Sequence, residues 1–309
     1  MLCSEKNVKI TVSVLLLSYN HGDYIERAVK SVFEQGQYLD YIELLVIDDG
    51  STDSTKQKLE SLQKEAPISM KVFYNQHEGV AAIPKNLLKL IKESSGNYIS
   101  FLASDDFYTS NRFEAQLEYF SMHPKCQIVY ANGIDILCEE EVRFVVTPID
   151  RVQLESGNPQ GVLDYMLQGA PQIYLQTVLA KSDFIKKCQP FDVDLIADDW
   201  IFNIKVFQAL IASSTTYGFI DIAVFKRNLL HSSTSNNRYQ HFNRVAGVAE
   251  RYINPKNYKF YIKFYGGYIK AFYKIGDYCS MSKLVYRSIL LFLGAKTHVK
   301  GLTRIIKLG

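Results

Sequence analysis

Three pairs of adjacent aspartates punctuate the sequence: Asp48-Asp49, Asp105-Asp106 and Asp198-Asp199. The first two follow the apolar runs LLVI and ISFLAS, and the third opens the stretch DDWIFNIKVFQALIAS. Any one pair alone reads as turn or helix-cap chemistry. Two pairs at the ends of buried strands are harder to dismiss, because like charges gathered there repel unless something positive meets them. Carboxylate oxygens suit Mg²⁺ or Mn²⁺, and these ions in turn favour phosphate oxygens. A nucleoside diphosphate carried by such a cation is the cargo this chemistry predicts.

The elements that must hold these residues alternate cleanly over the first hundred positions. KITVSVLLLS, YIELLVIDDG, MKVFYNQ and NYISFLAS read as strands. Continuous apolar runs mark the buried strands of a parallel sheet. Between them lie helical patterns. The first has apolar residues at Ile25, Ala28, Val29, Val32 and Phe33, with Gly36 as its expected C-cap. The second starts from the cap residues of STDST, and the third starts near Pro84. Such alternation predicts a mostly parallel α/β sheet covered on both faces. Ligands bind beyond the carboxyl ends of its strands. The rule points to Ser18-Tyr19-Asn20, to Asp48-Asp49-Gly50 and to Ser104-Asp105-Asp106. Beyond Asp106 the pattern loosens: residues 139–170 read as irregular, 172–181 as a strand, FIDIAVFKRNLL as a last strand, and the chain from about 238 as helices. No GxGxxG or GxxxxGK[ST] loop is present, so a dinucleotide or P-loop cradle is not indicated.

Composition excludes other classes. Of 309 residues, 47% are hydrophobic and 22% charged, as in a globular protein. Five scattered cysteines without CxxC spacing suggest neither a disulfide framework nor a zinc site, and fit a reducing, cytoplasmic setting. No apolar run is long enough to span a bilayer, and TVSVLLL reads as a core strand rather than a leader. Charge is uneven. Residues 252–309 hold eleven Lys/Arg against one acid, Asp277, a net +10, which leaves −7 for residues 1–251 of a chain whose total is +3. Eight tyrosines are interleaved with those lysines, from Tyr252 to Tyr286. The pattern fits equally a helical subdomain with an aromatic core and a peripheral contact with an anionic membrane on the inner face of the cytoplasmic membrane. No motif supports nucleic-acid binding.

VSVLLLSYNHGDYIERAVKSVFEQ, LLVIDDGSTDST, ISFLASDD and FDVDLIADDW, in that order over about residues 11–235, resemble the inverting family 2 glycosyltransferases of the GT-A fold. The resemblance implies a catalytic domain over residues 1–237. Its nucleotide-binding half spans about 8–107 and its acceptor-binding half about 108–237, with a helical C-terminal region over 238–309. It implies that Ser18, Tyr19 and Asn20 line the nucleotide pocket, that Asp49 accepts a hydrogen bond from the base, and that Asp48 supports its turn. Gly79 and Lys85 would stand near the diphosphate. Asp106 would be the direct ligand of Mn²⁺ or Mg²⁺, with Asp105 nearer the ribose or sugar, although Ala103 stands where the family often has a further Asp. Asp199 or Asp198 would be the catalytic base, with Asp199 preferred, and His231 would approach the diphosphate. Trp200 reads equally as a sugar platform or as core, and Lys226 and Arg227 read as a solvated strand end. The implied reaction moves a sugar from a UDP-linked donor to a hydroxyl of a glycan or lipid-diphosphate-linked glycan in surface polysaccharide assembly. A nucleotidyltransferase would gather similar carboxylates but would carry a Gly-rich basic loop after its first strand. A non-catalytic glycan-binding relative would not need the Asp198-Asp199 pair.

Overall fold

The computed structural model of the chain describes residues 12–110, 112–196, 198–230 and 238–292. The chain forms two compact units, residues 1–166 with 171–232, and residues 167–170 with 233–309.

In the first unit the apolar runs become the centre of a nine-stranded sheet. β1 (Val12–Ser18) lies between β2 (Ile42–Asp48) and β4 (Tyr98–Ala103), with β3 (Ser69–Tyr74) outside β2, all four parallel. The connections are α1 (Ile25–Phe33), α2 (Thr55–Glu65) and α3 (Ile83–Glu93). Val14, Leu16, Leu44 and Val46 point to one face, where they share a buried cluster with Ile25, Val29 and Val32 of α1 and Leu59 of α2. Alternation sends Leu15, Leu45 and Ile47 to the other face, and α3 packs on β1 and β2. The strands are therefore buried on both sides, which is why they lack polar alternation. α1 ends at Phe33 rather than running to Gly36. Gly36 takes φ 53° and opens a 3₁₀ turn instead of capping the helix.

The second half of the sheet is mixed. β5 (Phe107–Tyr108), α4 (Glu114–Met122), β6 (Cys126–Leu137) and β7 (Glu140–Phe144) come first. α5 (Pro148–Glu155), α6 (Pro159–Met166), β8 (Val178–Lys181), α7 (Ser182–Cys188), α8 (Asp198–Ser213) and β9 (Thr216–Asn228) follow. The strand order is β3-β2-β1-β4-β8-β6-β9-β5, with β7 paired to β6. β8 runs antiparallel to β4 and β6, whereas β9 runs parallel to β6. Residues 139–170, expected to be irregular, form β7, α5 and α6; their elements are short, which hides the periodicity. Of the expected strand over 172–181 only Val178–Lys181 is extended, and Leu175–Thr177 is a 3₁₀ turn.

One fully buried guanidinium ties the junction of the two halves. Arg112 donates to the Ser100 hydroxyl of β4 (2.6 Å) and to the Val178 carbonyl of β8 (2.8 Å), and its plane lies 4.2 Å from the Tyr108 ring centre. Burial holds its pKa below the ordinary guanidinium value. Nη1 has no hydrogen-bond partner among the described residues.

The second unit contains α9 (Arg238–Tyr252), α10 (Tyr258–Lys274) and α11 (Tyr278–Phe292). Its core is aromatic: Phe242, Phe260, Tyr261, Tyr265 and Phe272 are buried. Arg287 crosses from α11 to Glu250 of α9 through two bonds of 2.8 and 2.9 Å, and Glu250 also accepts from the Tyr265 hydroxyl at 2.6 Å.

Arg112→Ala empties a packed site and leaves the Val178 carbonyl with the Ser100 hydroxyl at 3.0 Å but without the guanidinium. It should lower unfolding stability by roughly 3 kcal/mol or more in denaturant titration. Arg112→Lys should recover little of that, because a single ammonium cannot reproduce the fork that reaches both strands.

Candidate active site

The turns after β1 and β2 are laced together. The Asp49 N–H donates to the Ser18 carbonyl (2.9 Å), the Asn20 N–H to Ser51 Oγ (2.8 Å), and the Thr52 N–H to Asn20 Oδ1 (2.8 Å). Asn20 adopts φ 51°, which an asparagine tolerates better than most residues. Gly50 has φ 77°, and a Cβ there would meet the His77 backbone nitrogen at 2.7 Å, so only glycine fits. Asp48 is buried and accepts from both the N–H and the hydroxyl of Ser51. It supports the turn.

Asp49 faces outward. Its Oδ1 accepts from Asn86 Nδ2 of α3 (3.0 Å), and its Oδ2 faces His77 Nδ1 (2.8 Å). Asn86 is itself buried and braced by Asn75 Nδ2 at 3.0 Å. Tyr19, 38% exposed, lies flat against the His77 ring, with centroids 3.8 Å apart and planes 6° from parallel. An exposed aromatic face beside an outward carboxylate suits a nucleobase, which needs both a stacking surface and an acceptor. His77 and Asn86 carried no signal in the sequence, since neither belongs to a spaced motif. Gly79, at φ 74°, begins the 3₁₀ turn into α3, and Lys85 pairs with Glu78 at 3.0 Å on the surface.

At the end of β4 the hydroxyl of buried Ser104 meets His21 Nδ1 at 2.6 Å. The two aspartates that follow differ sharply. Asp106 is 3% exposed; its Oδ1 accepts the Asn228 N–H (3.0 Å) and its Oδ2 the Gln176 side-chain amide (2.8 Å). Burial, and then the charge of Asp105, push its pKa well above the carboxylate range, against the opposing pull of Asn228, Gln176 and Arg227. Asp105 is half-buried and forms no hydrogen bond with the described residues. The geometry thus reverses the expected order: Asp106 is committed to the protein, and Asp105 is the carboxylate with open oxygens.

The acceptor-side residues converge on the segment Tyr174–Thr177. Asp199, in the first turn of α8, accepts the Leu175 N–H at Oδ1 (2.7 Å), while the next residue, Gln176, holds Asp106. Trp200 is buried, with its indole N–H donating to the Met166 carbonyl at 2.9 Å, so it belongs to the core and is not a sugar platform. Arg227 is not a solvated strand end. Its Nε and Nη2 grip the fully buried Asp135 at 2.7 and 3.0 Å, and its plane covers the Tyr174 ring at 4.3 Å. Burial works against its charge, but Asp135 and Tyr174 outweigh that and push its pKa up. Lys226 pairs with Glu141 at 2.8 Å. The side chain of Asp198, and all of His231, lie outside the described residues.

A divalent cation fits this set in one way. No group of three or more His, Cys, Asp or Glu side chains among the described residues could hold it unaided. An ion that keeps several waters and binds through one carboxylate plus substrate phosphates needs only what Asp105 offers.

Comparison with known proteins agrees with this architecture. Residues 13–158 match the family described as glycosyl transferase family 2. The putative teichuronic acid biosynthesis glycosyltransferase TuaG of Bacillus subtilis is 34% identical over 145 residues, 47% of this chain and 53% of that protein. The minor teichoic acid biosynthesis protein GgaA of the same organism is 32% identical over 109 residues, 35% of this chain and 24% of that one. The chain thus spans about half of TuaG and less of GgaA. An uncharacterized glycosyltransferase of Haemophilus influenzae is 25% identical over 84% of this chain and 97% of its own length. Among solved structures, S. aureus TarS 1–349 in complex with UDP-GlcNAc superposes with a TM-score of 0.62 at 15% identity, over 91% of this chain and 81% of that one. The mannosyltransferase PcManGT from Pyrobaculum calidifontis, in complex with GDP-Man and Mn²⁺, gives 0.54 at 13% identity, over 93% and 81%. At such identities these structures speak to the fold alone. Residues 13–158 are thus a family 2 glycosyltransferase domain, and the GT-A fold is the frame of the chain.

Proposed function

We propose that the protein moves a sugar from a UDP-linked donor to a hydroxyl of a surface glycan, with inversion at the anomeric carbon. One observation carries this reading: adjacent residues of one turn, Leu175 and Gln176, hold Asp199 and Asp106. That brings a carboxylate suited to proton abstraction to the same turn as the Asp105-Asp106 pair. The base stacks on Tyr19 and donates to Asp49, and the diphosphate lies toward Asp105. A Mn²⁺ or Mg²⁺ ion held by Asp105 would neutralise charge developing on the departing diphosphate. Asp199 takes the proton of the acceptor hydroxyl during in-line attack. Its Oδ1 is fixed by the Leu175 N–H, which orients the carboxylate without protonating it.

The names of TuaG and GgaA support a cell-wall polysaccharide as the product. The acceptor in this reading is a lipid-diphosphate-linked glycan at the inner face of the membrane. The second unit suits that setting. α10 and α11 expose Ile262, Tyr273, Tyr278, Tyr286 and Ile289, and α10 exposes Lys259, Lys263, Lys270 and Lys274 among them. Aromatic and basic residues together favour the headgroup region of an anionic leaflet. No described helix is long and apolar enough to cross it.

Asp199→Asn should lower kcat by about 10²–10⁴-fold, the usual worth of a general base, while nucleotide-sugar affinity by calorimetry stays near wild type. A variant that keeps full turnover removes the base assignment. Asp105→Asn should abolish the Mn²⁺-dependent part of UDP binding, whereas Asp106→Asn should leave it within a few-fold; the opposite result would restore Asp106 as the ligand. The full chain should sediment with phosphatidylglycerol vesicles at low salt, and be released as salt rises, but not with neutral vesicles.

A further inference from the structure

His77 does to the candidate base pocket what a nucleobase would do. Its planar ring lies against the exposed face of Tyr19 at 3.8 Å and 6°. Its Nδ1 stands 2.8 Å from Asp49 Oδ2 and 3.0 Å from the Asp49 carbonyl. An ionised carboxylate only accepts, so Nδ1 carries the hydrogen. The other Asp49 oxygen is already taken by Asn86. With His77 in place the Asp49 side chain keeps only 14% exposure, so both recognition features are occupied at once.

The backbone beneath this ring is pinned. Residue 77 packs against Gly50, and the Asn75 N–H donates to the Asp48 carbonyl at 2.9 Å. The His77 side chain is 39% exposed and has open solvent to turn into. Vacating the pocket therefore requires rotation about side-chain bonds and no rearrangement of the turn.

We propose that His77 is an intramolecular stand-in for the nucleobase, which stacks on Tyr19 and bonds Asp49 until an incoming nucleoside diphosphate displaces it. The contact acts as a threshold on donor binding. Every base must first outcompete the imidazole, so one that stacks poorly or lacks an N–H for Asp49 leaves the pocket closed. The apparent affinity is then reduced by the fraction of molecules with His77 out. This inference rests on the assignment of Tyr19 and Asp49 to the base.

The test begins by ranking UDP, GDP, ADP, CDP and dTDP by calorimetry and keeping the tightest. His77→Ala should bind that nucleotide about three- to tenfold more tightly than wild type. Inorganic diphosphate, which has no base, should bind both proteins alike. In wild type, the His77 ring resonances, assigned by their loss in His77→Gln, should start shifted by the Tyr19 ring current and lose that shift as the nucleotide saturates. Unchanged or weaker binding by His77→Ala, or a ring shift that persists at saturation, overturns the proposal while leaving the pocket assignment standing. If Asp49→Ala binds the nucleotide as wild type does, the pocket assignment itself falls, and the proposal with it.

Discussion

Asp106 is the constraint around which the rest of the site is arranged. A carboxylate so thoroughly buried must have its lone pairs met, and here they are met from two distant parts of the chain, by the backbone of Asn228 and by the side chain of Gln176. Those two bonds stitch the end of β4 to the end of β9 and to the turn over residues 175–177. Asp105 lies in the turn between Ala103 and Asp106, which the Asp106 N–H closes onto the Ala103 carbonyl at 3.1 Å, and it stays half-buried.

Charge is compensated in layers. Arg227 lowers the cost of Asp106's burial from nearby, but its direct partner is Asp135, and Arg143 closes the far side of that carboxylate at 2.9 Å. Tyr174 covers the guanidinium face. The same short segment therefore caps Arg227 through Tyr174, orients Asp199 through the Leu175 backbone and holds Asp106 through Gln176. Three charged groups are thus referenced to one turn rather than to three loops.

How much of this was legible in the sequence divides along a physical line. The β1 to β4 half was readable because buried parallel strands are written as continuous apolar runs, and Gly and Asp mark their ends. The sequence separates the roles of Asp48 and Asp49 only through the family resemblance of the DDGSTD stretch. Asp105 and Asp106 could not be told apart, since the order depends on partners 70 and 122 residues away. Arg227 looked solvated because its acid lies 92 residues off in sequence. His77 sits in a polar stretch with no periodicity, and its importance comes only from the turn that brings it over Tyr19. The short α5 and α6 helices were lost for a simpler reason: eight residues each give too few turns for a period to show.

The rigidity of Asp199 comes from its neighbours in α8. One turn further along α8, Asn203 donates to the Ile173 and Asp199 carbonyls, at 2.9 and 2.8 Å, and accepts from the Tyr130 hydroxyl at 2.9 Å. Trp200 is fixed to the end of α6 through the Met166 carbonyl. The first turn of α8 is thus bolted to the core by residues other than Asp199. A proton acceptor has to be held to a fraction of an ångström while remaining reachable, and those demands conflict if the same contacts serve both. Placing the bolts on Trp200 and Asn203 separates them, and the Leu175 N–H orients Oδ1 of Asp199. Trp200, which by residue type is the most conspicuous candidate for touching a sugar, serves the site better as the anchor of the helix that presents its neighbour.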